Sequence, residues 1–214
     1  MVLVTTTVFS TRFWRSAQRN LALLLAGVWL CLLAASIARA DNAEITELRV
    51  ERDDAALVLS ATVKFEPTTL VEDALQKGIP MFFVAEVEIL RNRWYWTDLK
   101  VAGETRHMRL AYQPLTRRWR LNVGSKPIGN SGLGVTLTQN FETMGDALAA
   151  VQRFSRWQVA DSAAIDPDST HTLRFRFALD VSQLPRPFQI GAVGQSDWNI
   201  SATRTIRLSP EGTK

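Results

Sequence analysis

Residues 81–90 have the sequence MFFVAEVEIL, and this stretch decides the fold. Its odd-numbered residues are all apolar, whereas the even-numbered ones change from Phe82 and Val84 to Glu86 and Glu88. Because side chains alternate between the two faces of a strand, we expect both faces to be buried at the first end and one face to be wet at the other. Such a strand belongs at the centre of a sheet.

The same alternation of apolar and polar residues recurs along the chain and predicts further strands. One of the series is interrupted by Arg204. Glycine and proline clusters between the series predict turns. We therefore predict a mainly β fold, an antiparallel two-sheet sandwich that is immunoglobulin-like in general architecture, with two short helices. The alternating runs are 57–65, 119–123, 133–138, 173–179 and 198–208.

Two stretches have the pattern of short helices. Thr69 with Glu72, and Thr143 with Asp146, have the three-residue spacing of a capping box. The apolar residues that follow recur at helical spacing and are expected to face the core. These residues are Leu70, Ala74 and Leu75 in the first helix, and Met144, Ala147, Leu148 and Val151 in the second.

Residues 1–40 have the three parts of a secretory signal peptide. Arginines precede an uncharged run at 21–35, and Ala38-Arg39-Ala40 fits the small-x-small cleavage rule. The run is shorter than the roughly 20 apolar residues that span a bilayer, which favours cleavage over a retained anchor helix. We expect a periplasmic protein secreted through the general export route, with an inner-membrane anchor at 21–35 as the alternative.

The charge balance and the single cysteine narrow the function classes. The formal charge of +4 comes from four arginines in the leader, so residues 41–214 carry equal numbers of basic and acidic residues. This neutrality argues against a nucleic-acid partner. Cys31 lies in the leader, so the expected mature chain has no thiol for a disulfide, a metal or catalysis. Residues 41–214 are predicted to form a single β-sandwich domain.

The segment Arg91-Asn92-Arg93-Trp94-Tyr95-Trp96 has the most unusual local composition. Arginine side chains stack on aromatic rings, and together they form platforms for sugars, peptides or lipid headgroups. The alternative is ordinary packing at the rim of the core. The candidate binding surface on this interpretation is Arg91, Arg93, Trp94, Tyr95 and Trp96.

The other motifs give little support for catalysis. Glu86 and Glu88 share a strand face and suit an acid/base pair, but carboxylates so placed more often pair with arginines across a sheet. His107 and His171 lack metal-ligand spacing and are expected at the surface. The loop 124–131 resembles a phosphate-binding loop but has Asn130 at the lysine position. We predict no catalytic residue, no metal site and no cofactor.

Several short phrases stand out when they are taken in order along the chain. They are Ala74-Leu75 with Gly78-Ile79-Pro80, Arg93-Trp94-Tyr95-Trp96, Leu110 with Tyr112 and Leu115-Thr116-Arg117, Asp146-Ala147-Leu148, Leu179-Asp180 with Leu184-Pro185-Arg186-Pro187, and Asp197-Trp198. In this order they resemble an exported proteobacterial family of unassigned activity, the domain of unknown function four-three-nine-zero, over most of residues 44–208. The resemblance implies a signal-bearing envelope protein, and the frequent neighbouring genes, a sensor kinase and its response regulator, suggest by association a role in envelope sensing.

Three functional hypotheses follow from these observations. The first is an exported, non-catalytic periplasmic domain that binds an envelope protein or a ligand, with membrane contact only through an uncleaved leader. The second is a hydrolase that uses carboxylates such as Glu86 and Glu88. The third is a carrier of an apolar molecule held between the two sheets.

Overall fold

The structure is a computed structural model with side chains, and it describes most of the chain after residue 42. The predicted leader and its cleavage site lie outside the described residues. No helix in the described part is long and apolar enough to cross a membrane. The described residues are 43–53, 55–93, 95, 97–129, 136–166, 169–192 and 196–208.

Nine strands of the described residues form two sheets in which every neighbouring pair is antiparallel. The strands are β1 Ala43–Arg52, β2 Ala56–Phe65, β3 Met81–Arg91, β4 Leu99–Gln113, β5 Arg118–Gly124, β6 Leu137–Phe141, β7 Arg153–Asp161, β8 His171–Leu179 and β9 Ser201–Leu208. The small sheet has the order β1–β2–β7, and the large sheet has the order β6–β5–β4–β3–β8–β9. The predicted class, mainly β with two antiparallel sheets and a few short helices, is confirmed.

Strand β3 occupies the central position that its sequence predicts. It pairs with β4 on one side and β8 on the other. Phe82 on its outer face is only 2% exposed, whereas Glu86 and Glu88 farther along that face are partly exposed. The change from apolar to acidic residues therefore marks the point where the outer face of the large sheet meets water.

Aromatic rings from both sheets fill the space between them. Phe65 of β2 lies 5.6 Å from Phe83 of β3 and 5.5 Å from Phe177 of β8, measured between ring centres. Phe154 of β7 meets Phe175 of β8 edge to face at 5.4 Å. Large buried rings stabilise a core strongly, and these contacts join the two sheets directly.

Two predicted strands begin later than their sequence pattern indicates. Trp198 belongs to a single 3₁₀ turn, Ser196–Trp198, and β9 starts at Ser201, although Trp198 is buried. Strand β6 starts at Leu137, and residues 133–135 of the predicted run lie outside the described residues. The interruption at Arg204 has a physical reason: its Nη1 donates to the carbonyls of Ile45 and Thr46 at the bulge in β1.

The two predicted helices are present as α1, Thr69–Gln76, and α2, Met144–Gln152. The prediction for α2 is confirmed, since the Thr143 hydroxyl accepts from the backbone N–H of Asp146. The prediction for α1 is wrong by one residue: Thr68 is the cap and accepts from Val71. Val71 is accordingly buried, and Leu70 is 37% exposed.

A third short helix, α3 at Arg186–Ala192, follows Pro185. The proline pair around Arg186 predicts a break in any strand, and this is what the chain shows. Pro187 lies in the first turn of α3, where a helix tolerates proline because the N–H groups there have no partner within the helix. The Pro185 carbonyl accepts from the backbone N–H groups of Phe188 and Gln189.

Candidate functional site

A β-bulge in β7 turns two aromatic residues to the same face. Leu59 of β2 is opposite Trp157 and Ala61 is opposite Phe154, so β7 has one residue more than β2 in this interval. Arg156 in the bulge has φ of 43°, in the left-handed region that non-glycine residues rarely adopt. Without the extra residue, strand alternation would place Phe154 and Trp157 on opposite faces.

Arg106 of β4 lies over the aromatic pair that the bulge creates. Its guanidinium carbon is 4.5 Å from the centre of the Trp157 ring and 5.7 Å from that of Phe154. Such stacking contributes about 0.5–2 kcal/mol. Burial lowers the pKa of Arg106, although an arginine remains charged at neutral pH. No carboxylate or hydrogen-bond acceptor of the described residues pairs with this guanidinium.

Arg106 and Trp157 line a cleft of about 370 Å³ beside the small sheet. Strands β4, β5 and β6 form one side, and β7 and α2 contribute Arg153, Trp157 and Ala150 to the other. The volume lies within the range of small-molecule sites. The polar or charged lining residues are Glu104, Thr105, Arg106, Ser125, Gln139 and Arg153, and the remaining ones include Met108, Leu121, Val123, Leu137, Ala150 and Trp157.

The cleft continues into a wider groove along α2. Gln139, Ala150 and Arg153 line both spaces, and the groove has a volume of about 740 Å³. Glu142 and Asp146 line the far part of the groove. The cleft therefore contains Arg106 and Glu104, with Arg153 where it joins the groove and two further carboxylates along the groove.

The predicted aromatic-basic surface lies at the end of β3, and only part of it is described. Arg91 is the last residue of β3 and pairs with Leu99 and His171. Arg93 is half-buried, and Tyr95 is 66% exposed. Trp94 and Trp96 lie outside the described residues, so their place in a binding platform stays a prediction.

The two glutamates of β3 lie on the face of the large sheet opposite the cleft. Glu88 accepts a hydrogen bond from Lys100 Nζ at 2.9 Å and lies 3.5 Å from Arg174 Nη1. The hydrogen bond from Lys100 and the charges of Lys100 and Arg174 lower the pKa of Glu88, against the effect of its burial. Glu86 is directly opposite Arg176 on β8. The structure therefore places arginines across the sheet from both glutamates and pairs Glu88 with Arg174.

The outward arginines form two separate groups. Arg174 and Arg176 are on β8 beside the glutamates, whereas Arg118 and Arg120 are on β5, which is separated from β8 by β3 and β4. Arg109 of β4 joins the second group, and burial and the charge of Arg120 lower its pKa. Its Nε is buried without a partner among the described residues.

One of the two histidines departs from its predicted surface position. His171 is only 2% exposed, so its prediction is wrong: as the first residue of β8 it faces the interior with Leu173 and Phe175. His107 is half-buried on the outer face, and burial lowers its pKa while the charge of Asp180 raises it. The described residues contain no group of His, Cys, Asp or Glu that would hold a metal ion.

The loop that resembles a phosphate-binding loop follows β5. Gly124 is the last residue of that strand, and the next described element is β6 rather than a helix. A phosphate-binding loop presents its ligand to the N-terminus of a helix, and that element is missing from the described residues here. Instead, Ser125 contributes to the cleft beside Arg106.

Fold and cleft together define a two-sheet β-sandwich with a cleft at the side of its small sheet that is lined by Arg106, Arg153 and Glu104. The sequence model of the domain of unknown function DUF4390 matches residues 40–208, and the chain belongs to this family. No curated protein and no solved structure matches the chain.

Proposed function

We propose that this protein is an exported, non-catalytic binding domain of the bacterial envelope, and that its ligand occupies the cleft beside Arg106. One observation carries the proposal: a half-buried guanidinium stacked on Trp157 faces a cleft of small-molecule size without an anionic partner among the described residues. Buried charges are normally paired, so a charge left unpaired beside a cleft indicates a ligand that supplies the counter-charge.

The position of the glutamates supports binding over hydrolysis. Glu88 is held by Lys100 and Arg174 on the opposite face of the sheet from the cleft. A pair of catalytic carboxylates needs to flank a bound substrate, with one of them protonated near neutral pH. The lowered pKa of Glu88 keeps it ionised instead.

The core supports a site at the open side of the space between the sheets over one at its centre. Phe65, Phe83 and Phe177 meet at ring-centre distances of 5.5–5.7 Å where the two sheets face each other. A carried apolar molecule would need this space. The cleft at the edge of the small sheet offers room without moving the core.

The compartment is part of the proposal and rests on residues 1–40, whose composition is that of a signal peptide. The gene neighbourhood implied by the family resemblance supports a link to envelope sensing by a two-component sensor kinase. The segment 91–96 remains a second proposed surface, through which a partner protein would be contacted.

Cell fractionation and native mass spectrometry test the proposal. We expect the protein in the periplasmic fraction of its host, with Asp41 as its first residue by N-terminal sequencing. Native spectra should show a bound small molecule that is absent from the denaturing spectrum of the same sample, which excludes covalent modification. A cytosolic protein that retains Met1, or a native mass equal to that of the bare chain, would overturn it.

A further inference from the structure

The number of open hydrogen-bond donors at Arg106 indicates which kind of group the cleft binds. A guanidinium has five N–H donors in a planar fork that matches a carboxylate or a phosphate. The ring of Trp157 lies against the guanidinium, and no acceptor among the described residues bonds to the in-plane donors of this fork. A neutral ligand would satisfy the donors but leave the half-buried charge uncompensated, whereas an anion does both.

The charges around the cleft indicate that an anion binds near Arg106 and not in the adjoining groove. Arg153, the first residue of β7, is exposed and lines both the cleft and the adjoining groove, so a second cation borders the cleft that holds Arg106. Glu104 lies two residues before Arg106 on the same strand face but forms no ion pair with it. Glu142 and Asp146 line the adjoining groove and repel an anion from that side.

The apolar wall of the cleft indicates a second part of the ligand. Leu137, the first residue of β6, is 62% exposed although it lines the cleft. Met108 and Leu121 form an apolar floor beneath the same space, and Val123 is opposite Leu137 in the sheet. A large exposed leucine next to an apolar floor gains free energy when a hydrocarbon group covers it.

From these three features, and given the binding function proposed above, we infer that the cleft binds an anionic amphiphile. The carboxylate or phosphate head contacts Arg106 and Arg153, and a short hydrocarbon chain covers Met108, Val123 and Leu137. The cations and the apolar wall line the same cleft. A ligand that fills the cleft therefore needs both the anionic head group and the hydrocarbon chain.

Calorimetric titration with four probes tests each part separately. The protein, isolated from its host and stripped of bound molecules on a hydrophobic resin, is titrated with octanoate, octyl phosphate, acetate and octyl glucoside. We expect the two octyl anions to bind. Acetate has the head without the chain and octyl glucoside has the chain with a neutral head, so each should bind at least about tenfold more weakly. The ratio of the octanoate and octyl phosphate affinities tells a carboxylate from a phosphate ligand.

Variants identify the residue that holds the head group. Arg106→Met keeps the apolar stem over Trp157 and removes the charge, and we expect it to weaken octanoate binding about tenfold or more. Arg106→Lys keeps the charge without the fork and should retain an intermediate affinity. The matched control is Arg207→Met, because Arg207 is an exposed arginine on the outer face of the same sheet. Circular dichroism confirms that each variant is folded.

The outcomes separate this inference from the binding function. If octyl glucoside binds as well as octanoate, or if Arg106→Met and Arg207→Met behave alike, the anionic head group is wrong. If acetate binds as well as octanoate, the apolar part is wrong. If no octyl probe binds while native mass spectrometry of the unstripped protein shows a bound molecule, the inference fails and the binding function stands. If neither is seen, both fail.

Discussion

The guanidinium carbon of Arg106 lies 4.5 Å from the centre of the Trp157 ring, across the gap between the two sheets. Trp157 reaches this position because the bulge at Arg156 turns it to the same face as Phe154. An irregularity in one edge strand of the small sheet thus creates the aromatic support for a cation on the large sheet. Bulges commonly redirect a side chain next to a functional site.

The first prediction concerns the role of Arg106 in stability. In Arg106→Met, loss of the stacking interaction is offset by removal of a half-buried charge that has no anionic partner among the described residues. We expect the free energy of unfolding in urea to change by less than about 1 kcal/mol. Trp157→Ala, which removes a ring that is 8% exposed, should cost about 3–5 kcal/mol. A loss of more than about 2 kcal/mol in Arg106→Met would assign the arginine to the core instead of the ligand.

The second prediction isolates the backbone strain of the bulge. Arg156→Ala and Arg156→Gly both lose the 2.7 Å ion pair with Asp53, which is exposed and contributes little. Only glycine relieves the φ of 43°, and this gain is partly offset by the greater freedom of glycine in the unfolded chain. We expect the glycine variant to be the more stable of the two by about 0.5–1 kcal/mol in urea unfolding. An alanine variant of equal or greater stability would show that the bulge is unstrained.

The third prediction concerns pH. Burial lowers the pKa of His107 below its ordinary value of 6.5, so the unfolded chain binds a proton more readily than the folded one. Stability is therefore lost as the pH falls from about 6.5 towards the lowered pKa. Asp180 and Glu88 also have lowered pKa values, but their losses begin only near 3.8 and 4.5.

Urea unfolding of wild type and His107→Gln at a series of pH values measures this effect. Glutamine does not titrate, so we expect its stability to change less between pH 6.5 and the lowered pKa of His107. Below that range both proteins should lose stability as Glu88 and Asp180 are protonated, and the wild type should lose slightly more, because the charge of His107 contributes to the lowered pKa of Asp180. Equal slopes throughout would mean that His107 titrates alike in the folded and unfolded chains.

The fourth prediction distinguishes two neighbouring threonines at the start of α1. The hydroxyl of Thr68 accepts from Val71 N and donates to the carbonyl of Asp197, whereas Thr69 is an exposed first residue of the helix. Thr68→Ala should lower the free energy of unfolding by about 1 kcal/mol, and Thr69→Ala by a few tenths at most. Thermal unfolding of both variants measures this difference. A larger loss of stability in Thr69→Ala than in Thr68→Ala would show that Thr69 is the cap, as the sequence pattern favours.

The fold class was predictable because strands of both sheets follow a regular pattern. The runs at 57–65, 81–90 and 173–179 have an apolar residue at every odd-numbered position, and each became a strand with the expected inner face. The helix that follows Thr143 was predictable because its capping pair, Thr143 and Asp146, fits one register only. At the start of α1, Thr68 and Thr69 are adjacent. The three-residue spacing to Glu72 favours Thr69 as the cap, but the cap is Thr68.

The cleft was not predictable, because the bulge breaks the pattern on which strand prediction depends. Phe154 and Trp157 are three residues apart and do not alternate as strand neighbours should, yet both face the core. Arg106 sits between polar residues on β4, and nothing local distinguishes it from the outward Arg109. The sequence drew attention to 91–96 by composition alone, whereas the stacked arginine arises from two strands about 50 residues apart.

The most direct test of a ligand at Arg106 is an NMR titration that observes the arginine Nε–H groups while octanoate is added. The Arg106 signal, assigned by its absence in Arg106→Met, should shift and saturate at the dissociation constant measured by calorimetry. The Arg207 signal should stay in place. An Arg106 signal that does not move while octanoate binds elsewhere would contradict the assignment of this cleft as the binding site.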